Sequence, residues 1–312
     1  MRQRSYGRDT GLTFRMFFTM FMLAGLWVVF MGLLFWAGIS PVLIFGFALI
    51  GVLIQYFMSD KLVLMSTGAR EVTAQEEPWL HATIERLAQM YEIPKPKKIA
   101  VMDTHVPNAF ATGRNPDNAV VAVTRGLMSR LTDREAEAVL GHELAHVKNR
   151  DVAVMTWASL LVITAGYLMQ MLFWMSLFGG FGGRGDRRGE GGNLMLIMMA
   201  VYVGTIVVYF LAQLLVMALS RYREYAADRG GAIVTGAPMQ LASALAKISN
   251  DMYRIPDEDL RDVRHANAFM FAPALSGNDI SRLFSSHPPT EKRIERLQNM
   301  QRELERGTPF RP

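Results

Sequence analysis

Two histidines and a glutamate near the middle of the chain have the spacing of a metal-dependent hydrolytic centre. In the segment GHELAH, His142 and His146 are four residues apart and Glu143 follows the first histidine directly. Residues four apart on a helix share a face, so both imidazoles can bind one ion. Glu143 is not needed as a ligand and would take a proton from metal-bound water, then pass it to a leaving amine. The alternative is a surface helix with two solvated histidines.

A third ligand must be a histidine or an acidic residue, because the chain contains no cysteine. Disulfides, thiolate ligands and a cysteine nucleophile are excluded for the same reason. A catalytic zinc site has three protein ligands and one open position. The segment SRYREYAADRGGA offers Glu224 as that ligand and Asp228, four residues on, as an acceptor that would fix the tautomer of a ligand histidine. The same spacing fits an exposed acidic face that pairs with neighbouring arginines.

Apolar runs flank these motifs and predict helices that span a membrane. Four runs carry no charge: 16–37, 42–58, 152–178 and 194–219. Each is close to the roughly 20 residues that cross a bilayer as a helix, and a helix satisfies its own backbone there. The first run is too long for a signal peptide and has no clear small-residue cleavage site, so we expect it to be retained.

Composition and charge agree with a mixed chain of membrane helices and a water-facing domain. The chain is 51% hydrophobic and 20% charged, with a net charge of +5. Its basic residues mostly flank the apolar runs, where they favour one orientation of the helices in the membrane and do not indicate nucleic-acid binding. They predict that both termini and the polar segments face the cytoplasm. The basic, glycine-rich loop 179–193 disagrees with that rule and leaves open whether the last two runs span fully.

The polar segments are expected to form one domain that is split by a membrane hairpin. Three strand-like segments between 98 and 123 predict a small sheet. Thr132 and Glu135 form a capping-box pattern that begins the helix carrying both histidines. That helix ends just before the third apolar run, and the helix of Glu224 begins just after the fourth. Because a helical hairpin brings its ends together, the ligands are expected to converge near the membrane surface.

Several segments together resemble the HtpX membrane metallopeptidases, relatives of the CAAX prenyl endopeptidases. They are GHELAHVKNRD, SRYREYAADRGGA, PNAFATGRNP and SSHPPTEKRIERL, in this order along paired apolar hairpins. The resemblance covers nearly the whole chain. It implies a mostly α-helical membrane protein with an α+β zincin-like catalytic domain, four membrane helices in two hairpins and a small β-sheet. The implied parts are a hairpin at 1–60, protease segments at 61–151 and 221–312, and an inserted hairpin at 152–220.

The resemblance also implies the chemistry of the site. One zinc ion per chain would be bound by His142, His146 and Glu224, with Glu143 as the catalytic base and Asp228 hydrogen-bonded to a ligand. The implied enzyme lies in the inner membrane with its active site facing the cytoplasm. It would cut misfolded or damaged membrane proteins and would overlap in quality control with the ATP-dependent membrane protease FtsH.

Two further features are expected from this likeness. Asn108, Ala109 and Phe110 would lie on an edge strand that holds an extended substrate by main-chain hydrogen bonds, although an ordinary core strand is the alternative. His287 would donate to the oxyanion of the tetrahedral intermediate, or else would cap the helix that follows it.

Other functions fit the sequence less well. A transporter usually has ionisable groups within its membrane segments, and the four apolar runs contain none. An intramembrane protease would have its histidine motif inside an apolar helix, whereas polar segments flank the motif here. A zinc-bound scaffold without activity is the serious alternative, and the presence of Glu143 argues against it.

Overall fold

The structure, a computed structural model, describes residues 9–177, 190–252 and 288–306, which form helices and a small sheet. The described helices are α1 (Thr10–Trp36), α2 (Pro41–Thr67), α3 (Pro78–Met90), α4 (Arg125–Arg130), α5 (Asp133–Lys148), α6 (Asp151–Leu177), α7 (Glu190–Thr235), α8 (Pro238–Met252) and α9 (Thr290–Glu305). The strands are β1 (Arg70–Glu71), β2 (Lys98–Met102), β3 (Ala109–Thr112) and β4 (Val120–Thr124). Contacts divide the chain into a first unit, Met1–Met16, Phe57–Val154 and Ser220–Pro312, and a second unit, Phe17–Tyr56 and Met155–Leu219.

Three of the described helical segments are long and apolar enough to cross a membrane. They are Thr10–Trp36, Asp151–Met175 and Met195–Thr235. Only 22%, 33% and 22% of their most apolar windows are buried, and Phe17 and Val28 are 70% and 73% exposed. This much exposed apolar surface is unfavourable in water, whereas lipid would cover it. The chain is therefore a membrane protein.

The second expected span, residues 42–58, is the exception. It lies within α2, where the apolar helical segment is Ile44–Ile54, and Asp60 and Lys61 follow the run. A helix of 17 residues extends only about 25 Å, which is less than the roughly 30 Å of hydrocarbon in a bilayer. Within the described ranges, the expectation of four membrane helices is thus too high by one.

Close side-chain contacts hold α1, α2 and α6 together in the second unit. Trp27 meets Phe45 edge to face, with ring centroids 5.5 Å apart. Ala48, Val52 and Leu160 form a buried cluster beside this pair. Since lipid is as apolar as these side chains, such packing must come from shape and dispersion and not from water exclusion.

Four strands in the first unit form a mixed sheet in the order β1-β2-β4-β3. β2 and β4 are parallel, whereas β1 and β3 pair antiparallel with them at the two sides. The three predicted strands are confirmed. β1 was not predicted, because its two residues, Arg70 and Glu71, are exposed and polar. The predicted class, a mostly helical membrane protein with a small β-sheet, is confirmed.

The register of β3 decides which of its backbone groups face outward. In the described sheet β3 pairs with β4 alone, and the Thr124 N–H donates to the Asn108 carbonyl at 2.9 Å. Facing residues of an antiparallel pair alternate between hydrogen-bonded and non-hydrogen-bonded positions. Asn108 and Phe110 therefore direct their backbone groups toward β4, and Ala109 and Ala111 direct theirs toward the outer edge.

The central helix of the first unit is α5. Its start is a capping box, as predicted: the Thr132 N–H donates to Glu135 Oε2 at 2.9 Å, and the Glu135 N–H donates to Thr132 Oγ1 at 3.4 Å. Leu140 and Leu144 are buried, and the helix packs against α3, α8 and β3. A helix buried on this many sides is a rigid support for the side chains that it carries.

A buried carboxylate ties the start of α5 to α8. Glu135 is 3% exposed and accepts hydrogen bonds from Ser243 Oγ at 2.6 Å and Lys247 Nζ at 2.7 Å. Burial alone would raise the pKa of Glu135, but these bonds and those from Thr132 lower it to about 2. The ionised carboxylate therefore stabilises the fold above pH 4.5, the ordinary pKa, and this contribution is lost as the pH falls toward 2.

We expect the substitution Glu135→Gln to lower the free energy of unfolding by about 1–2 kcal/mol at pH 7, because a charge-assisted network loses its charge. The difference from wild type should shrink as the pH falls below about 4.5, where protonation of the wild-type carboxylate begins to remove the same charge. Thermal unfolding followed by tryptophan fluorescence in detergent, over a series of pH values, measures both effects.

Glu137→Gln is the matched control on the same helix. Glu137 pairs with Arg86 at 3.0 Å in a more exposed position, so its loss should cost less than about 0.5 kcal/mol. Equal destabilisation by the two substitutions at pH 7 would show that the Glu135 network adds nothing beyond a surface ion pair.

Candidate active site

Helix α5 places two histidines one turn apart with their ε nitrogens facing each other. The Nε2 atoms of His142 and His146 are 3.1 Å apart, and the ring centroids are 4.7 Å apart at an interplanar angle of 88°. His142 is 1% exposed. At this distance one imidazole can donate a hydrogen bond to the other, or both ε nitrogens can face one cation when both rings are neutral. The spacing therefore allows the pair to share one metal ion.

Glu224, from α7, completes a cluster of three possible ligands. Its carboxylate oxygens lie 3.6 Å from His142 Nε2 and 3.5 Å from His146 Nε2. One ligand atom from each residue lies within 4.8 Å of the others. All three residues belong to the first unit. The structure thus brings together the three residues that the sequence analysis expected to bind one metal ion.

Glycines allow α7 to approach α5 closely enough for this geometry. A Cβ atom at Gly231 would lie 2.8 Å from the backbone nitrogen of His142, and one at Gly141 would lie 3.0 Å from Thr235 Cγ2. Gly231 is seven residues after Glu224, about two helical turns, so both lie on the same face of α7. The close crossing at Gly231 therefore helps to decide how far Glu224 can reach.

The δ nitrogen of each histidine is hydrogen-bonded to a buried carboxylate. His142 Nδ1 donates to Asp228 Oδ1 at 2.9 Å, and His146 Nδ1 donates to Asp151 Oδ2 at 2.5 Å. A proton on the δ nitrogen leaves the ε nitrogen of a neutral imidazole as the metal-binding atom. Asp228, the predicted acceptor, contacts the δ nitrogen of His142. Asp151 was missed, although it ends the quoted segment GHELAHVKNRD.

Two buried arginines complete the surroundings of the site and were also missed. Arg293 donates from Nε and Nη2 to both Asp228 oxygens, at 2.8 and 2.7 Å, and its Nη1 lies 3.4 Å from Glu224 Oε2. Arg223 Nη2 lies 2.9 Å from Asp151 Oδ2. A signal for Arg293 existed in the pattern of α9, since it falls on the same buried stripe as Leu297, four residues later.

The balance of charge fits a divalent metal ion. The site buries four carboxyl groups and two guanidinium groups: Glu143, Asp151, Glu224, Asp228, Arg223 and Arg293. If all carboxyl groups are ionised and both imidazoles are neutral, as metal ligands are, the arginines leave two negative charges uncompensated, which is costly away from water. One divalent cation would balance them. Two imidazole nitrogens and a carboxylate are also donors that zinc uses in catalytic sites.

Protonation of the protein groups reflects the same imbalance. Burial raises the pKa of Glu143 to about 7. Burial acts to lower the pKa of His146, but the hydrogen bond and charge of Asp151, followed by the charge of Glu224, raise it to about 9. For His142, burial prevails and its pKa is lowered. Glu143 can therefore gain and lose a proton near neutral pH, and a cation bound beside it would lower its pKa again.

The edge strand β3 lies directly against Glu143. The Ala111 N–H, which faces the outer edge of the sheet, donates to Glu143 Oε2 at 2.9 Å. Of the expected substrate residues, Asn108 directly precedes this strand and Ala109 and Phe110 begin it; they are 5%, 1% and 3% exposed. The contact with Glu143 comes from the following residue, which the sequence analysis did not single out. The predicted oxyanion donor, His287, lies outside the described residues.

We expect Gly231→Ala to weaken metal binding by at least about tenfold. Alanine is well tolerated inside a helix, but its Cβ would collide with the backbone of His142, so α7 must shift and move Glu224 away from the histidines. Zinc affinity, measured by competition with a chelating dye, reports this shift. Far-UV circular dichroism checks that the helices remain.

Gly32→Ala in α1 is the matched control, because a Cβ there would meet no atom within 4 Å. It should leave zinc affinity at the wild-type value. Wild-type affinity in the Gly231→Ala protein as well would contradict the conclusion that the close helix crossing positions the third ligand.

Comparison with known proteins places these residues in a family. The model of Peptidase family M48 matches residues 74–301. A Protease HtpX homolog from Moorella thermoacetica is 53% identical over 97% of this chain and 99% of its own length. A Protease HtpX homolog 2 from Methanosarcina acetivorans is 51% identical over 97% of this chain and 99% of its own length.

A crystal structure of S. mikatae Ste24p has a similar fold. It shares 17% sequence identity with this chain at a TM-score of 0.56, and the match covers 92% of this chain and 67% of Ste24p. The family match contains both histidines, Glu143, Glu224 and Arg293. The chain belongs to peptidase family M48 and is a membrane metallopeptidase that acts on polypeptides.

Proposed function

We propose that the chain is a zinc-dependent endopeptidase that hydrolyses peptide bonds of misfolded or damaged membrane proteins. The observation that carries this proposal is the position of Glu143. Its carboxylate lies between the outer edge of β3, 2.9 Å from the Ala111 N–H, and the cluster of His142, His146 and Glu224 on the same buried site. A peptide bound along that edge would pass directly over a base and a metal-binding cluster.

The choice of zinc is supported by the donor atoms and by the charge of their surroundings. Two imidazoles and one carboxylate suit zinc, and hard cations such as magnesium prefer oxygen ligands. Asp228 and Asp151 hold the imidazoles in the tautomer that a metal needs. One divalent ion per chain would balance the buried carboxyl groups.

The mechanism assigns the proton transfers to Glu143. A bound zinc ion supplies a Lewis acid that polarises the scissile carbonyl and lowers the pKa of water. Glu143 takes the proton from the attacking water and delivers it to the leaving amine as the C–N bond breaks. The Ala111 N–H holds one carboxylate oxygen, so the other can face the water. We keep His287 as the proposed donor to the oxyanion.

Substrate binding is assigned to the outer edge of β3. The Ala111 carbonyl faces away from β4 and can accept a hydrogen bond from an extended peptide that lies along this edge. The Ala111 N–H is already bonded to Glu143, and Ala109 is buried. This moves the proposed contact one residue beyond the predicted segment Asn108 to Phe110, in which Asn108 and Phe110 direct their backbone groups toward β4. Such backbone pairing is independent of side chains and suits unfolded polypeptides.

The proposed domain organisation and location follow from the distribution of apolar and basic residues. Protease segments 61–151 and 221–312 would form one domain, with hairpins at 1–60 and 152–220. This is supported by the first unit, which combines Phe57–Val154 with Ser220–Pro312. Basic residues near the helix ends favour an inner-membrane enzyme whose site faces the cytoplasm. Overlap with FtsH in quality control fits that location and substrate class.

Glu143→Gln is expected to reduce peptide hydrolysis by at least about a thousandfold, because the amide cannot accept the proton. It should leave zinc binding unchanged, because Glu143 is not a ligand. Glu224→Ala is expected to weaken zinc binding itself. Cleavage of an unfolded polypeptide by the detergent-solubilised protein, isolated with chelator and then given zinc, measures the first effect. Metal content after dialysis measures the second.

Glu137→Gln is the control for changes in detergent extraction. It removes a carboxylate on α5 that pairs with Arg86, and this variant should cleave the polypeptide as wild type does. Zinc binding without cleavage in wild type would favour a scaffold that holds metal without activity. Equal cleavage by wild type and Glu143→Gln would mean a contaminating protease or another base.

Ala111→Pro should reduce kcat/KM by at least about tenfold without unfolding the sheet. Proline removes the N–H that contacts Glu143, and on the outer edge of a sheet it costs no ladder hydrogen bond. Ala111→Val keeps that N–H and controls for the change of side chain. If both variants lose the same amount of activity with the fold intact, the backbone contact is not what matters.

A further inference from the structure

A shallow groove runs from the end of β3 past His146 to the junction of α5 and α6. It is lined by Thr112, Gly113, Asn115, His146, Arg150 and Val152, among others. Its open volume is about 10 Å³, roughly the room of one water molecule, so it is too small to enclose a ligand. The groove continues the outer edge of β3 beyond Ala111.

Arg150 is the cation on the wall of this groove. Its side chain is exposed and forms no ion pair or hydrogen bond among the described residues. The neighbouring acid, Asp151, is 3% exposed and already holds His146 and Arg223. The guanidinium is thus available to a charge that arrives from outside the protein.

The backbone fixes where this side chain begins. Arg150 has a φ of 55°, which is uncommon for a residue other than glycine. Its N–H donates to the Val147 carbonyl at 3.1 Å, and its own carbonyl accepts from the Val154 N–H at 3.2 Å. The tight junction between α5 and α6 therefore holds Arg150 beside the groove, close to the metal-binding cluster.

An extended peptide presents alternate side chains to the same side. A peptide that lies along the edge of β3 at Ala111 would continue over Gly113, which has no side chain to block it, and would bring one of its own side chains near Arg150. A carboxylate is the group that a guanidinium binds best, through two parallel hydrogen bonds. We propose that Arg150 forms a subsite that selects an acidic side chain of the substrate within three residues of the cleaved bond.

This proposal rests on the proposed peptidase function and names a substrate class for it. The membrane offers a competing explanation, because α6 begins at Asp151 and basic residues near helix ends also contact anionic lipid headgroups. The position of Arg150 on the same groove as His146 and the end of β3 favours the peptide. The two explanations differ in what they predict for substrates of different charge.

Peptides that differ at one position test the proposal. Each series of quenched fluorescent peptides carries Glu, Gln or Lys at one position and is otherwise identical. Six series place that position at each of the three residues on either side of the cleaved bond. The zinc-loaded, full-length enzyme in detergent should cleave the Glu peptide at least about fivefold faster than the Lys peptide, as kcat/KM, at one such position. Arg150→Glu should reverse that order at the same position. Lys148→Gln, an exposed cation outside the groove, should retain the wild-type order.

Three results would count against the proposal. Arg150→Glu overturns it if the wild-type order of the peptides remains at every position. An effect of Arg150→Glu that is equal for all three peptides, and that appears only in vesicles containing anionic lipid, assigns Arg150 to the membrane instead. If wild type cleaves no peptide, the peptidase proposal fails separately. In that case, fluorescence anisotropy measures how tightly the same peptides bind to the Glu143→Gln protein. If that protein prefers the Glu peptide and adding Arg150→Glu does not remove the preference, the proposed subsite is overturned.

Discussion

An excess of buried negative charge around His142 and His146 is the constraint on which the site depends. Asp228 and Asp151 must be buried to hold the two imidazoles, yet a buried carboxylate without a partner costs several kcal/mol. Arg293 and Arg223 compensate for part of this charge. A divalent ion would compensate for the rest, so metal binding and the stability of the catalytic region belong to one electrostatic balance. Burial raises the pKa of Glu143 to about 7, and a cation bound beside it would lower that pKa again.

Three carboxylates in this balance, Asp151, Glu224 and Asp228, come from helices that also contain membrane segments. α7 runs unbroken from the apolar run at its start to Glu224 and Asp228, and α6 begins with Asp151. Asp151 and Asp228, the two carboxylates beside the candidate metal site, are thus covalently continuous with apolar helices. Because Gly231 allows α7 to approach the backbone of His142 closely, a small shift along α7 would change the distance from Glu224 to the histidines. Membrane insertion and ligand geometry therefore involve the same chain segments.

Local patterns predicted much of this fold. The capping box of α5, the three strands and the shared helix face of the two histidines all depend on residues within four positions of each other. Apolar runs identified three membrane helices for the same reason, and failed for 42–58, whose length is marginal for a bilayer. Arg293 was missed because arginine is usually a surface residue, although its spacing from Leu297 places it on the buried stripe of α9.

The sequence by itself determined the residue types that can bind a metal and move a proton, their spacing within each helix, and the family resemblance that joins them. The tertiary structure decided the long-range pairings: Asp228 with His142, Asp151 with His146, and the backbone of Ala111 with Glu143. These pairings depend on helix crossing, strand register and burial, which involve residues far apart in the chain. A local pattern records which side chains are present on a helix face, but only packing determines which of them meet.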